Sequence, residues 1–509
     1  MSLRQSGWGM TRGEEHPVVS QGESTAAPRF DVPMACIAFA AAAAPGLLAL
    51  RPDFVQPFAA WLFIATIWVG LGIAYLYLRD ARRSPLPLLP LTGLFYVIFF
   101  ALPPFLIERD WWSTGGTIER PTGIAFESIT VETAALVLAA LVALTLGYHG
   151  ARVPVRRVPH VRFAGPVSWL RLRILLWVCA VAYIGYLYFP VARTSSSLTQ
   201  AMTPLGLFAV GLLFVAWHRG HLSVGEKIAY WAILIPLVFL IHVYDGLITP
   251  IILLFFFLVT LYWYASHRAG VVLTIVLCAA LYIFPVLKLS NFFIVENSPA
   301  VTSRVSDKMG AIGLAALLFS DITRQQQAPP TIAQKNVVPP LLRRLALVVL
   351  LQYCVDQTPE HIPYLEGETL RNLMTNLVPR VFWPNKPPEV LGQWFGHHYR
   401  ILGDADTVTS VNLPWLIEFY INFGPLGVVV GMAIVGVFLA LLERVLLNPA
   451  MTDLEIVAGW ALTFRFFYQE SNLSLMLGGL ITQAVFFLGF VWLAVRLFCR
   501  EKPEALSQP

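Results

Sequence analysis

The chain has 509 residues, of which 57% are hydrophobic and only 13% are charged. Soluble domains carry about 25% charged residues, so this composition excludes an ordinary water-soluble globular protein. The net charge of +5 is small, and the five cysteines show no C-x-x-C spacing, which argues against a disulfide framework and a cysteine zinc site.

In chain order, residues 1–30 mix Gly, Pro, Ser and both signs of charge, so we expect a disordered tail. They contain no short apolar core with a cleavage site, and we expect no removed signal peptide. Hydropathy then predicts about twelve membrane spans of roughly 20 residues. The predicted spans are 32–50, 54–78, 85–107, 131–148, 174–192, 203–217, 228–244, 248–266, 270–289, 414–442, 454–469 and 475–498.

The expected fold is an all-α, polytopic integral membrane protein. Residues 31–289 would hold membrane helices 1–9, residues 414–498 would hold helices 10–12, and 499–509 would form a short tail. Lys and Arg collect in alternate short loops, among them 79–83, 149–173 and 219–227. Because cytoplasmic loops carry this excess, we expect both termini in the cytoplasm and the segment 290–413 on the other side.

The basic loop 149–173 has a second interpretation, a nucleic-acid patch. The topology signal explains it better, because the same bias recurs at every hairpin. We therefore expect a lipid bilayer, and no nucleic acid, as the surrounding partner.

The segment 290–413 is too long for a plain connection, since loops beyond about 15 residues are usually functional or disordered. Its apolar run 310–320 is too short to span. Its second apolar run, 341–354, follows an arginine pair and is expected to lie along or dip into the membrane interface. We expect an extracytoplasmic helical cap that rests on the membrane helices.

Two motifs stand at the end of this segment and at the start of the next span. The first lies in YLEGETLRNLMTNLVPRVFWPNKP and the second in LIEFYINFGPLGVVVGMAIVG. Together they resemble the Wzy-type polymerases of O-antigen and exopolysaccharide repeat units, in which PR-x-x-WP-x-KP precedes E-x-Y-x-N-F-G-x-x-G. The matching residues are Pro379, Arg380, Trp383, Pro384, Lys386 and Pro387, then Glu418, Tyr420, Asn422, Phe423, Gly424 and Gly427.

The resemblance covers about 80 residues and departs from the family pattern in one place. Members often carry a Gly-Ser-Arg-like turn between two spans ahead of the large loop. This chain has His242, Tyr244, Asp245 and Gly246 there, without an arginine. A phosphate contact made by that arginine would have to come from elsewhere.

The resemblance implies a glycosyltransferase that uses no nucleotide sugar, and we expect no cofactor. It would move a growing glycan from a polyprenyl pyrophosphate onto a new lipid-linked repeat unit at the outer face of a bacterial inner membrane. The implied partners are the polyprenyl-pyrophosphate-linked oligosaccharide and the bilayer, with a chain-length regulator and a flippase as further candidates.

Displacement of a pyrophosphate needs cations for the developing charge, and arginine binds phosphate oxygens in a bidentate manner. Arg380 and Lys386 are the first candidates, with contact to lipid headgroups as the alternative. Arg343 and Arg344 have the same two interpretations. Arg465 lies within an apolar stretch, where a charge is costly and usually functional; the alternative is a buried ion pair with Glu470 or Glu418.

The acceptor hydroxyl needs a base or an orienting group. Glu418 fits either role, and His397 and His398 are further candidates that could act near neutral pH, although a loop His pair is more often only solvated. Trp383, Tyr420 and Asn422 are candidates for sugar contact or for packing of the cap. No DxD-like pair or HExxH spacing indicates a metal site in the loop.

Three rival functions remain open at this level. A ligase that moves a finished glycan from the same carrier would need the same cations. A transporter or flippase of lipid-linked sugars predicts several paired charges at mid-membrane and mostly short loops. A non-catalytic scaffold would not need the grouping of cations and carboxylates.

Overall fold

The structure is a computed structural model that describes residues 32–80, 84–106, 127–163, 167–189, 196–244, 248–266, 345–376, 383, 390–407 and 409–499. All regular elements within these ranges are helices, and the isolated bridge between Val55 and Ile129 is the β-type pairing among them. The predicted all-α class is confirmed for this part of the chain.

The helices range in length from 4 to 32 residues. In chain order they are α1 Val32–Ala43, α2 Pro57–Arg79, α3 Leu88–Tyr96, α4 Pro103–Leu106, α5 Val131–Val155, α6 Trp169–Tyr188, α7 Ser196–His218, α8 Val224–Ile228, α9 Ile235–Tyr244, α10 Ile248–Ser266, α11 Leu347–Gln357, α12 Arg371–Asn376, α13 Leu391–His398, α14 Trp415–Leu446, α15 Asp453–Thr463, α16 Leu473–Gly478 and α17 Leu480–Ala494. Short 3-10 or π segments extend several of them, such as Ala44–Leu50 after α1 and Val495–Cys499 after α17.

Nine helical stretches of the described residues are long and apolar enough to cross a membrane. They overlap nine of the predicted spans, with ends that differ by up to seven residues. The span predicted at 248–266 is a shorter apolar helix, and the one at 454–469 is the 11-residue α15 followed by a 3-10 turn. The span predicted at 270–289 lies outside the described residues, so the number twelve stays a prediction.

The loops that carry arginine meet at one end of the helix bundle, which we call the arginine-rich end. There Arg152 forms an ion pair with Asp80 at 2.8 Å and Arg219 forms one with Asp453 at 2.7 Å. The guanidinium of Arg444 donates to the carbonyl of Val158 at 2.9 Å. These contacts join the ends of α2, α5, α7, α14 and α15.

Other loops meet at the opposite end. The backbone N–H of Gln56 donates to the carbonyl of Ile129 at 3.2 Å, and the N–H of Thr130 donates to the side chain of Gln352 at 2.9 Å. Successive loops thus lie at alternate ends of the bundle, as the predicted topology requires. The assignment of the cytoplasm to the arginine-rich end stays a prediction.

The helix α11 is buried in the protein, whereas the apolar run 341–354 was predicted to lie in the membrane interface. Five consecutive residues, Leu347–Leu351, are buried, whereas a helix lying in the membrane interface would keep one face exposed to lipid or water. It packs against α5 and α14. This apolar run is therefore enclosed by the protein at the opposite end.

The central pair of the bundle is α5 and α14, and glycines hold the two helices at close range. A Cβ at Gly147 would overlap the carbonyl of Ala433, and a Cβ at Gly436 would overlap the carbonyl of Leu144. Small residues let membrane helices approach backbone to backbone. The position of α14, which carries the second motif, therefore depends on these two contacts.

Candidate functional site

The helix α14 is kinked near its start, at the second motif. Gly424 has φ +64, a conformation that favours glycine, and Pro425 has no N–H to bond the carbonyl of Ile421. Residues of the segment 358–370 between α11 and α12, here called the outer loop after its predicted side of the membrane, supply the missing donors. The N–H of Leu365 donates to the carbonyl of Ile421 at 3.0 Å, and the N–H of Glu366 donates to the carbonyl of Asn422 at 3.1 Å.

Asn422 ties the same loop to the helix through its side chain. Its Oδ1 accepts from the N–H of Gly367 at 2.9 Å. Its Nδ2 donates to Thr369 Oγ1 and to the carbonyl of Glu418, both at 2.7 Å. Asn422 and Thr369 are each 1% exposed, so these bonds form in a protein interior where an unmade bond is expensive.

The Glu418 carboxylate completes this network and has no exposed surface. One oxygen accepts from Thr369 Oγ1 at 3.1 Å, and the other accepts from the N–H of Leu473 at 2.7 Å. Glu418 thus joins α14, the outer loop and α16. This geometry suits the orienting role better than direct contact with a hydroxyl, and the predicted role as base stays a prediction.

A break between α15 and α17 brings further polar groups to this region. The chain turns through the 3-10 segment Phe464–Phe467 before α16 begins. Gln469 and Glu470 are buried within the turn. Gln469 Oε1 accepts from the Tyr96 hydroxyl at 2.9 Å, and Glu470 accepts from Asn412 Nδ2 at 2.7 Å and from the Tyr468 hydroxyl. Irregular backbone at membrane depth needs such enclosure by protein.

Arg465 stands in this break, and no described residue is an acidic partner for it. Its Nη2 donates to the carbonyl of Met476 at 2.9 Å, and its buried Nε has no hydrogen-bond partner in the described part of the chain. The alternative interpretation, an ion pair with Glu470 or Glu418, is not observed among the described residues, where the guanidinium of Arg465 bonds the carbonyl of Met476. A cation in such surroundings is costly unless it serves a function.

Glu418 and Arg465 are connected through α16. The N–H bound by Glu418 belongs to Leu473, and the carbonyl bound by Arg465 belongs to Met476. These two backbone groups lie within one helical turn, which is about 5.4 Å along the axis. The carboxylate of Glu418 and the guanidinium of Arg465 therefore flank the same short helix.

The other predicted residues lie on neighbouring elements. Tyr420 is buried, and its hydroxyl donates to the carbonyl of Thr358 at 2.9 Å. At the end of α13, the His398 ring stacks on Trp394 with centroids 4.6 Å apart, and His397 is half-buried beside it. Trp383 is 39% exposed.

Thr358 connects α13 to Tyr420. Its Oγ1 shares a hydrogen bond of 2.7 Å with the Tyr399 hydroxyl, while its carbonyl binds Tyr420. Burial raises the pKa of Tyr399, so this phenol acts as a neutral hydrogen-bonding group. The two histidines are thus held on an element that is joined to the second motif.

Acidic residues mark the same end of the bundle. Burial raises the pKa of Asp356, and the nearby carboxylates of Glu127 and Glu132 raise it further, while a hydrogen bond from Gln352 opposes the shift.

The described residues hold no group of three His, Cys, Asp or Glu that could bind a metal.

Four of the candidate cations cannot be placed. Arg343, Arg344, Arg380 and Lys386 lie outside the described residues. Arg380 follows the end of α12 at Asn376 by four positions in the sequence. Their predicted contact with pyrophosphate stays a prediction.

Sequence reasoning missed several members of the network. Thr369 lies within the first motif without any feature that sets it apart, and Tyr96 lies in a distant span. Asn472 and Ser474, whose side chains bond each other at 2.6 Å, carry a usable signal, because polar residues are unusual inside the apolar stretch 454–498. The backbone partner of Arg465 has no sequence signal at all.

The fold and these polar networks define a polytopic helical membrane protein. The chain belongs to the family described as a domain of unknown function (DUF8712), whose model matches residues 167–445, more than half of the chain. That match includes Glu418 and Asn422 and ends before Arg465. No curated protein and no solved structure matches the chain.

Replacement of Asn422 by leucine tests the attachment of the outer loop. We expect a loss of at least about 2 kcal/mol in the free energy of unfolding, because each buried polar group left unpaired costs about 1–3 kcal/mol. Thermal unfolding in detergent measures it. The control is Phe423→Leu at the next position, where the side chain is 46% exposed; equal stability of the two variants would contradict the prediction.

Proposed function

We propose that this protein is a glycosyltransferase that polymerises polyprenyl-pyrophosphate-linked oligosaccharide repeat units at the outer face of a bacterial inner membrane, with both termini in the cytoplasm. The main support is Arg465, a cation without a carboxylate partner in the described residues. It flanks the same short helix as Glu418, the first residue of the motif that resembles the polymerases. An anionic substrate group would supply the missing partner.

In the proposed reaction, an acceptor hydroxyl of one repeat unit attacks the anomeric carbon of the glycan on the other lipid. A glycosidic C–O bond forms, the C–O bond to pyrophosphate breaks, and the pyrophosphate leaves on its lipid. The hydroxyl proton passes to a base. Positioned guanidinium groups stabilise the charge that develops on the leaving oxygen.

The residues take different parts in this proposal. Arg465, with Arg380 and Lys386 from the loop, binds the pyrophosphate, and Arg343 and Arg344 are further candidates. His397 or His398 is the candidate base, because histidine is the side chain that most often serves as a general base. Glu418 and Asn422 are positioning residues that hold the outer loop and α16, Tyr420 holds Thr358, and the exposed ring of Trp383 offers an apolar face to a sugar.

The test is an assay with the purified protein in nanodiscs and the lipid-pyrophosphate repeat unit alone, with products separated as a ladder on a gel. We expect a ladder from the natural protein. Arg380→Ala should reduce its rate by about 100-fold or more, the usual loss when a group that stabilises transition-state charge is removed. Glu418→Gln should also reduce it, because the amide offers one acceptor atom where the carboxylate offers two.

The matched control is Arg496→Gln. The Arg496 guanidinium lies 5.0 Å from the Trp492 ring centroid in the helical segment that ends the described chain, away from the motif, so this variant should keep the ladder. A natural protein that makes no ladder would contradict the proposal. Transfer of the glycan from its lipid only to a different acceptor would indicate a ligase.

A second candidate function is transport of the lipid-linked sugar. The kink of α14 at Gly424 and the break between α15 and α17 favour it, because transporters form substrate sites from discontinuous helices. Movement of the lipid substrate across a vesicle bilayer, without a ladder, would establish transport.

A further inference from the structure

A cavity of about 390 Å³ lies at the arginine-rich end, far from the candidate site. It is lined by the ends of α2 and α5, by Ser84 and by the first turn of α3. The nearby Glu443 stands more than twenty residues after Glu418 on α14, roughly 35 Å away at 1.5 Å per helical residue. This cavity takes no part in the proposed glycosyl transfer.

The lining of the cavity has apolar and polar parts. Ile73, Leu76 and Leu89 are apolar, and the polar residues include Arg79, His149, Arg152 and the carboxylate of Asp80. Leu76 is 54% exposed at the surface of α2, on the part of the helix that would meet lipid. A ligand that fills the cavity would therefore have a polar group with an apolar part attached.

Among the described residues that line the cavity, Arg79 is the guanidinium without an acidic partner. Arg152 is neutralised by its ion pair with Asp80 at 2.8 Å, whereas Arg79 makes no hydrogen bond or ion pair with any described residue and is exposed. The Tyr148 hydroxyl is directed to the Glu443 carboxylate behind the wall. A guanidinium without an acidic partner among the described residues suits an anionic group, such as a phosphodiester.

Two ordinary roles for Arg79 also have to be considered. An arginine in the last turn of a helix interacts favourably with the helix dipole, and its side chain can extend toward the membrane surface. Neither role accounts for a cavity that places His149 and an apolar side next to the same guanidinium. Arg157, an exposed arginine that follows α5, does not line the cavity and serves as a comparison.

We propose that this cavity binds the phosphodiester headgroup of an anionic phospholipid from the adjacent leaflet. The Arg79 guanidinium is the main contact, His149 is a second donor, and the acyl chains leave along Ile73 and Leu76. The volume accommodates a headgroup with the start of its chains, within the range of about 300–1,000 Å³ of small-ligand sites.

The test uses the full-length protein in detergent, titrated with phosphatidylglycerol, phosphatidylcholine or inorganic phosphate. Bound lipid is counted by native mass spectrometry, and the shift in Tm is recorded in parallel. We expect phosphatidylglycerol to bind the natural protein and Arg157→Gln more tightly than phosphatidylcholine does. Arg79→Gln should bind phosphatidylglycerol at least tenfold more weakly and keep its oligosaccharide ladder.

Three results would overturn the proposal. Equal affinity of Arg79→Gln and the natural protein would show that the cavity does not bind the headgroup. An equal loss in Arg157→Gln would indicate a diffuse surface charge effect. A Tm shift by inorganic phosphate as large as that by phosphatidylglycerol would show that the anion does not come from a lipid. Because Arg79 is exposed, its variant is expected to fold, and gel filtration verifies this.

Discussion

Arg465→Gln is expected to abolish the ladder of polymerised product while the protein stays folded. The guanidinium makes one hydrogen bond, to the carbonyl of Met476, and has no acidic partner among the described residues. If it serves the pyrophosphate, its loss should lower the rate by about 100-fold or more. The measurement is the ladder assay in nanodiscs, with the substrate concentration varied to separate kcat from KM.

Stability provides the second readout for this prediction. An enclosed cation without a counter-charge is unfavourable in the resting protein, so glutamine, which can still donate to the Met476 carbonyl, should leave Tm unchanged or raise it. Activity gained at the expense of stability is common at functional sites.

Arg465→Lys is the conservative variant of the same experiment. It keeps the charge but not the planar fork, and a partial ladder is expected. A strong fall in Tm together with an intact ladder in Arg465→Gln would instead make Arg465 a purely structural residue and contradict the proposal.

Gly147→Leu is expected to prevent the bundle from assembling correctly. Any Cβ at this position would overlap the carbonyl of Ala433 on α14, and backbone cannot move aside as a flexible side chain does. Overpacking usually costs about 1–3 kcal/mol and sometimes more, and here it would also displace the helix that carries Glu418 and Asn422. The measurement is the yield of monodisperse protein and its Tm, followed by the ladder assay.

The matched control for this variant lies one helical turn away. Gly150 is on the same helix α5, and a Cβ at that position would meet nothing within 4 Å. Gly150→Leu has the same change in helix propensity and in apolar volume, so it should be close to the natural protein. If both variants behave alike, close approach of α5 and α14 does not control assembly.

The two predictions address different parts of the candidate site. Arg465 tests the charge that would meet the substrate, whereas Gly147 tests the frame that holds the second motif in place. The motif residues Tyr420 and Asn422 belong to that frame in the structure, because their polar atoms bind the outer loop at Thr358, Gly367 and Thr369. A motif that looks catalytic in a sequence can thus act by attaching a loop to a helix.

Composition and hydropathy alone determined the class of this protein and the position of most membrane helices. Nine predicted spans agree with the long apolar helices of the described residues, because burial of apolar side chains in a bilayer depends on local sequence. The alternation of arginine-bearing loops was also predictable from local composition. The structure brings those loops together at one end, through contacts such as Arg152–Asp80 and Arg219–Asp453.

Only the tertiary structure decided which apolar stretches are enclosed by protein and which polar groups meet. The predicted interfacial helix is buried at Leu347–Leu351, and hydropathy does not separate these surroundings, since lipid tails are as apolar as a protein interior. The predicted span at 454–469 ends in a polar turn. Arg465 binds a backbone carbonyl where a carboxylate was the expected alternative, and Glu418 is enclosed by Thr369 and Leu473. These partners come from segments far apart in the chain, and a backbone carbonyl carries no residue-specific signal, so their meeting depends on how the helices pack.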